Sequence, residues 1–309
     1  MRIGAIFPQW EFGNDRIAIR DWAQAAHGLG FSHVLLFEHV LGADPANRPG
    51  WRGLTHETPF HEPLTLGAFM AAAAPGLEIA TGVLVLPQRQ TALVAKQAAT
   101  LDHLTGGRTR IGVGVGWNAV EYAALGQPFA ARGPRCDEQI GLLRRLWSEL
   151  AVTFEGHFDR IDHAGIVPLP VQRPIPVWIG GDSPAAERRA ATLGDGWLPH
   201  GDPDGVLAER IGRVRSLALS AGRDPDAIGI EGRASLASAG LDGLNRSVAH
   251  WRAMPWITHL GIDLLGAGIA TAAGHIGALA ACADAIGLPD GAGQGIASSQ
   301  KCVRNSAVS

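Results

Sequence analysis

Apolar residues along this chain follow two alternating rhythms. Short runs of nearly unbroken apolar character predict buried strands, and longer segments with apolar positions every third or fourth residue predict helices packed by one face. Arg2 to Phe7 is a strand, followed by a helix over Asp15 to Leu29 with Ile19, Trp22, Ala23 and Ala26 on one face and Gly28 and Gly30 at its stop. "SHVLLF" (32–37), "LEIATGVLVL" (77–86) and 109–115 read as the next strands, with helices at 64–74 and 91–104 between them and at 118–125 and 134–150 after them. The second half repeats the pattern, with strands at 176–181, 196–199, 228–234 and 258–265, each followed by a helix, at 184–193, 203–221, 244–253 and 272–286. Strands alternating with helices imply a parallel sheet with right-handed crossovers. An open doubly wound sheet usually stops at about five to seven strands. Eight strand–helix units over residues 1–288 instead favour closure, so the expected fold is an α/β (β/α)8 TIM barrel.

Two segments break the rhythm. Residues 40–62, rich in Pro, Gly, Trp and His, form a long insertion after strand two, and 152–175 reads as an extended hairpin before strand five. Insertions at the carboxyl ends of barrel strands are where such folds place their sites. From Pro289 to Ser309 there is no periodicity and little large apolar residue content, so a disordered tail is expected there.

Composition narrows the partners. With a formal net charge of −3, no basic surface calls for nucleic acid. No window approaches the ~18 apolar residues of a membrane span, and the first ten residues lack the pattern of a secretory signal. Three scattered cysteines, Cys136, Cys282 and Cys302, point to a reduced, cytoplasmic setting without disulfides or a thiolate metal site. "HETPFHE" (56–62) looks briefly like a zinc motif, but His56 and His61 are five apart with Pro59 between them, so no metal is expected. The small-residue helices around Ala71–Ala74 and Ala92–Ala99 suit a homodimer interface or ordinary barrel packing.

The chemistry concentrates at strand ends. In "RTRIGVGVGWNAVEY" (108–122) Gly112, Gly114 and Gly116 lead into a helix opened by Asn118. The dinucleotide pattern Gly-x-Gly-x-x-Gly fails, because its last position falls on Trp117 or Ala119. Either glycine relieves crowding between strands, or Gly114 and Gly116 leave room for a flat ring at the barrel mouth. Asn118 caps the helix or offers its amide to a ligand. In "IGGDSPAAERRAA" a strand ends at Gly180 and Gly181, Ser183 is placed to cap the next helix and Pro184 suits its first turn. Bare amides at such a start form an anion site, with Asp182 expected to point away. Arg188 and Arg189 read as solvated helix face. Glu38 and His39 stand where strand two meets the insertion, and a histidine there is either a structural group or a proton carrier working near neutral pH.

The runs "GVLVLPQRQTALVAKQAATLDHLTGGR" (82–108), "GRTRIGVGVGWNAVEYAALG" (107–126) and "PVQRPIPVWIGGDSPAAERRAATLGDGWLP" (170–199) resemble the luciferase-like monooxygenase superfamily, and most closely its branch of coenzyme F420-dependent oxidoreductases. The likeness runs in one order over about residues 1 to 265 and implies the same barrel. It implies hydride transfer between F420 and a small-molecule substrate, with FMN and a separate flavin reductase as the alternative; a non-catalytic flavin-binding barrel ranks lowest. The arginine that flavin luciferases place near the end of strand four is replaced here by Val115, which turns the expectation toward F420. The resemblance also assigns His39 to proton transfer beside the reactive ring carbon, Glu38 to orienting His39 or binding a ring substituent, and Gly82–Val83 to a bulge with a cis peptide behind the ring. Both coenzymes bring a phosphate, and the anion site formed by Gly180, Gly181 and Ser183 at the helix start is its expected place. Trp10, Trp51, His56 and His61 are expected to line the substrate side or to pack the insertion.

Overall fold

The computed structural model describes residues 1–238 and 240–289; apart from Pro289, the expected tail lies outside the described residues. In chain order the elements are β1 (Arg2–Ile6), α1 (Arg16–Gly28), β2 (His33–Leu36), α2 (Pro63–Ala73), β3 (Glu78–Thr81), β4 (Leu84–Val85), α3 (Thr91–Leu104), β5 (Thr109–Gly114), α4 (Ala119–Ala124) and α5 (Arg132–Ser148). There follow β6 (Val152–Glu155), β7 (Arg160–Ala164), β8 (Val177–Gly180), α6 (Pro184–Leu193), β9 (Gly196–Leu198), α7 (Gly205–Ser220), β10 (Gly229–Ser235), α8 (Gly240–Ala253), β11 (His259–Asp263) and α9 (Ala272–Ile286).

The parallel strands close into a ring of eight staves. β1 lies between β2 and β11, and the ring continues through β10, β9, β8 and β5 back to β3. Pairing of Ile79 with Thr109 closes it, and β4 continues the β3 stave alongside β5, with Leu84 opposite Val113. The expected strand 77–86 is therefore interrupted, because the chain bulges at Gly82–Val83, whose peptide is cis. The 152–164 segment is the expected hairpin, β6 antiparallel to β7 outside the barrel. Glu138 on α5 holds its turn by accepting the amides of His157, Phe158 and Asp159.

Helix α1 buries the stripe its spacing predicts. On α1, Asp15 accepts the amide of Ile17 at 2.8 Å as the cap, and Ile19, Trp22, Ala23 and Ala26 are buried. Ala71, Ala74, Ala95, Ala98 and Ala99 are buried against the barrel, which puts these small side chains in ordinary packing. Arg188 is exposed as expected, but Arg189 is not solvated: it is buried against α5, paired with Asp137. α8 begins at Gly240, four residues before the sequence pattern shows it, because its first turn carries no apolar stripe.

The barrel interior departs from the usual layers of branched apolar side chains. His33, Glu78, Arg110 and Glu231 are buried there as a polar network, with Arg110 Nε on Glu78 at 2.9 Å and His33 Nε2 on Glu231 at 2.7 Å. Gly4 makes room for it, since a Cβ there would lie 2.3 Å from the His33 ring. Burial opposes the charge of Glu231, but Arg110 and His33 together hold its carboxyl well below the ordinary range.

Candidate active site

A cavity of about 310 Å³ opens at the carboxyl end of the staves, a size typical of small-ligand sites. Its floor is formed by Ile6, Leu35 and Glu231, and one side by the Gly82–Val83 bulge and Val85. The insertion after β2 folds over it through Leu54 and Phe60, and Trp117 lines it while packing on Trp51 of that insertion. Trp10 packs on Phe37 and Phe60 with ring centres 6.2 and 5.4 Å away, so the wall is largely aromatic.

His39 lines this cavity, with Phe60 and Trp117 set edge-on at 5.1 and 5.7 Å. Its Nδ1 meets Glu121 Oε1 at 3.1 Å, and the same oxygen accepts the amides of Val40 at 2.8 Å and Leu41 at 3.3 Å. Gln88 donates to the other oxygen at 3.3 Å. Burial works against the charge of Glu121, but the bonds from His39, Val40 and Gln88 hold its carboxyl below the ordinary value. An ionised Glu121 only accepts, so Nδ1 carries the hydrogen and Nε2 is left as the nitrogen available for proton exchange.

Glu38 does not orient His39. It is buried, accepts the Val85 amide and forms an ion pair with Arg89, whose Nη2 also reaches Glu62 at 2.8 Å. Burial pushes its carboxyl up, while Arg89 and the Val85 amide pull it back. Glu38 is thus a brace between the end of β2 and the bulge side of the mouth. Glu121, which takes the orienting place, had a signal in the sequence: Asn-x-x-Glu at 118–121 is a helix-opening pattern. The tertiary fold turns that glutamate from its own helix toward the insertion.

The glycines divide between strand packing and the cavity wall. A Cβ on Gly114 would lie 2.6 Å from Val83 Cγ2, and one on Gly180 would lie 2.5 Å from Val83 Cγ1. Gly112 faces the Thr81 carbonyl oxygen, at 2.0 Å from where its Cβ would be. Gly114 and Gly180 therefore admit the Val83 side chain, and only Gly82, Val83 and Gly116 of this set line the cavity. Asn118 caps α4, accepting the Val120 amide at 3.0 Å, and donates to the Leu41 carbonyl at 3.3 Å. Both ends of its side-chain amide are used inside the protein.

At the start of α6, Ser183 accepts the Ala186 amide at 3.2 Å and Gly181 has φ of 118°, a conformation that favours glycine. Asp182 turns to His200, with Oδ2 2.6 Å from Nδ1, and to Arg210 at 2.9 Å. Gly180, Gly181 and Ser183 do not line the cavity, but Leu198, Pro199 and His200, beside them, do. Of the substrate-side candidates, Trp10 reaches the cavity. Trp51 packs behind Trp117 at 5.8 Å, His56 lines a separate outer hollow, and His61 lines a hollow between α1 and α2. Arg233, which the sequence did not single out, stands on the cavity wall. Among the described residues, no three His, Cys, Asp or Glu side chains gather as a metal site, and no helix is long and apolar enough to cross a membrane.

The chain is thus a closed parallel barrel with an aromatic cavity at the carboxyl end of its strands, the face on which barrel enzymes place their sites. It belongs to the luciferase-like monooxygenase family, whose sequence profile it matches over residues 11–276. It is 38% identical over 208 residues to an uncharacterised protein of Mycobacterium tuberculosis, covering 65% of this chain and 71% of that one. It is 32% identical over 210 residues to an FMNH2-dependent dimethylsulfone monooxygenase of Pseudomonas putida, covering 66% of this chain and 54% of that protein. An F420-dependent secondary alcohol dehydrogenase, solved with an F420–acetone adduct, has the same fold at a TM-score of 0.72 and 17% identity, covering 92% of this chain and 98% of that one.

Proposed function

We propose that the chain is an oxidoreductase that passes a hydride between coenzyme F420 and a small organic substrate, with His39 handling the accompanying proton. The observation that carries this reading is His39 itself: it faces the mouth cavity with Nδ1 fixed by Glu121 and Nε2 unengaged. The residues fit a flat ring. Val83, Val85 and Leu198 offer apolar faces, Gly82 and Gly116 leave bare backbone beside them, and Leu198, Pro199 and His200 line the cavity next to the α6 start. When bound, the coenzyme supplies the hydride at a ring carbon. The chain orients the two reactants, excludes water by folding Phe60 and Leu54 over them, and gives or takes a proton at His39 Nε2.

The amides at the start of α6, after Gly181, would hold the phosphate. Around that start, Asp182 and Glu187 already offset Arg210 and Arg213. Val115, just past β5, stands where flavin luciferases place an arginine for the FMN phosphate, and that favours F420 over FMN here. A second reading, an FMN-dependent monooxygenase fed by a flavin reductase, is favoured by the similarity to the dimethylsulfone enzyme.

The deciding experiment is a fluorescence titration of the pure protein with F420 and with FMN, each oxidised and reduced. F420 should bind more tightly than FMN; tighter FMN binding would move the assignment to the monooxygenase, and binding of neither would end both readings.

A further inference from the structure

One cation on the cavity wall has no part in the proton handling. Arg233, near the mouth end of β10, lines the cavity with 44% of its side chain exposed. It is the only Lys or Arg among the described residues lining that cavity. The acids on the wall are already matched: Glu38 by Arg89, Glu121 by His39 and two backbone amides, Glu231 by Arg110 and His33.

Arg233 is itself held from behind. One terminal nitrogen pairs with Asp263 on β11, whose side chain is fully buried and whose other oxygen takes the Leu265 amide at 2.9 Å. Burial pushes the Asp263 carboxyl up and Arg233 pulls it back. Asp263 therefore works as a strut, and Nε and Nη1 of Arg233 have no partner among the described residues. The guanidinium lies 5.8 Å from the centre of the Phe37 ring, which stacks on Trp10. A fixed fork with spare N–H groups, at one edge of an aromatic slot, matches a planar anion joined to an apolar body.

We propose that Arg233 is a substrate anchor, and that the substrate sharing this cavity is a small organic acid, a carboxylate or sulfonate. Its charged end is held by the free edge of the guanidinium, and its body lies against Trp10, Phe37 and Phe60. The proposal deepens the reading of the cavity as a coenzyme site and rests on it for the substrate's role.

The test compares matched pairs by isothermal titration calorimetry on the coenzyme-saturated protein: benzoate with benzamide, hexanoate with hexanamide, benzenesulfonate with benzenesulfonamide. At least one acid should bind wild type tenfold or more tightly than its amide, equivalent to ~1.4 kcal/mol. That preference should disappear in Arg233→Gln/Asp263→Asn, a pair chosen so that no buried carboxylate is stranded. Arg233→Lys, which keeps the charge but loses the fork, should retain part of it and serves if the double variant does not fold. The coenzyme dissociation constant should change less than about threefold in these variants, a tenfold change being 1.4 kcal/mol. No acid preference across the three pairs in wild type overturns the anchor, and so does a loss of coenzyme affinity as large as the loss of acid affinity, which would give Arg233 to the coenzyme. If wild type binds neither F420 nor FMN, the coenzyme reading fails on its own, and the same titrations on the coenzyme-free chain still decide whether Arg233 selects acids.

Discussion

The Val83 side chain and the glycines around it can be tested as a unit by a double-mutant cycle on Gly114 and Val83. Gly114 has a negative or extended φ, so alanine is tolerated by its backbone, and the obstacle is purely the neighbour. The new methyl would stand 2.6 Å from Val83 Cγ2, where ordinary contact begins near 3.4 Å, so one of the two must move by most of an ångström. Overpacking of that kind costs ~1–3 kcal/mol. Val83→Ala alone removes two methyls from a partly exposed side chain, a loss of about 1 kcal/mol. With those methyls gone, the nearest atom to the alanine at 114 is Val83 Cβ at 3.5 Å, an ordinary contact. Gly114→Ala should then cost little, and the cycle should show a coupling of ~1–2 kcal/mol in the rescuing direction. Urea unfolding of the four proteins reads it out, by midpoint at constant slope. If the two losses simply add to within ~0.5 kcal/mol, the glycine is not there for Val83. A loss of coenzyme affinity at unchanged stability would instead return it to the role of a bare ring platform.

Three further outcomes follow from the same geometry. Glu121→Gln exchanges a charged acceptor for a neutral one under the Val40 and Leu41 amides; hydrogen exchange at both should speed up about tenfold or more, and unchanged protection would show that another group holds the loop. His39→Ala should leave the coenzyme dissociation constant within a few-fold while cutting turnover ~10²–10⁴-fold, whereas equal loss in both would make His39 a coenzyme-binding group. His259, in the lower barrel, is driven down to about 3 by burial, with Arg110 and His33 adding to the effect. Its folded value lies below its unfolded one, so the stability it contributes is complete above about pH 6.5 and is lost as pH falls toward 3; by pH 5 the loss is ~2 kcal/mol. Comparing urea midpoints at pH 7 and pH 5, His259→Gln should lose less than wild type, and parallel losses would contradict the assignment.

Much of the barrel was legible in the chain because it rests on local period. The spacing of Ile19, Trp22, Ala23 and Ala26 dictates which face of α1 is buried, whatever lies beneath it. Apolar runs such as "SHVLLF" become staves because only a buried parallel strand satisfies both their side chains and their backbone. The break at Gly82–Val83 came from resemblance, since nothing in "ATGVLVLP" forbids a continuous strand.

Eight strand–helix units, a helix start at Ser183 and a histidine at the end of β2 were thus determined by the sequence alone, through periodicity and capping that act over a few residues. Which carboxylate meets His39, what fills the space above Gly114 and Gly180, and that Arg233 faces the cavity were decided only by tertiary structure. Glu121 and His39 are 82 positions apart, and Glu38 and Arg89 are 51 apart. Pairings at such separations are set by how the staves register when the ring closes, and no local pattern encodes that register.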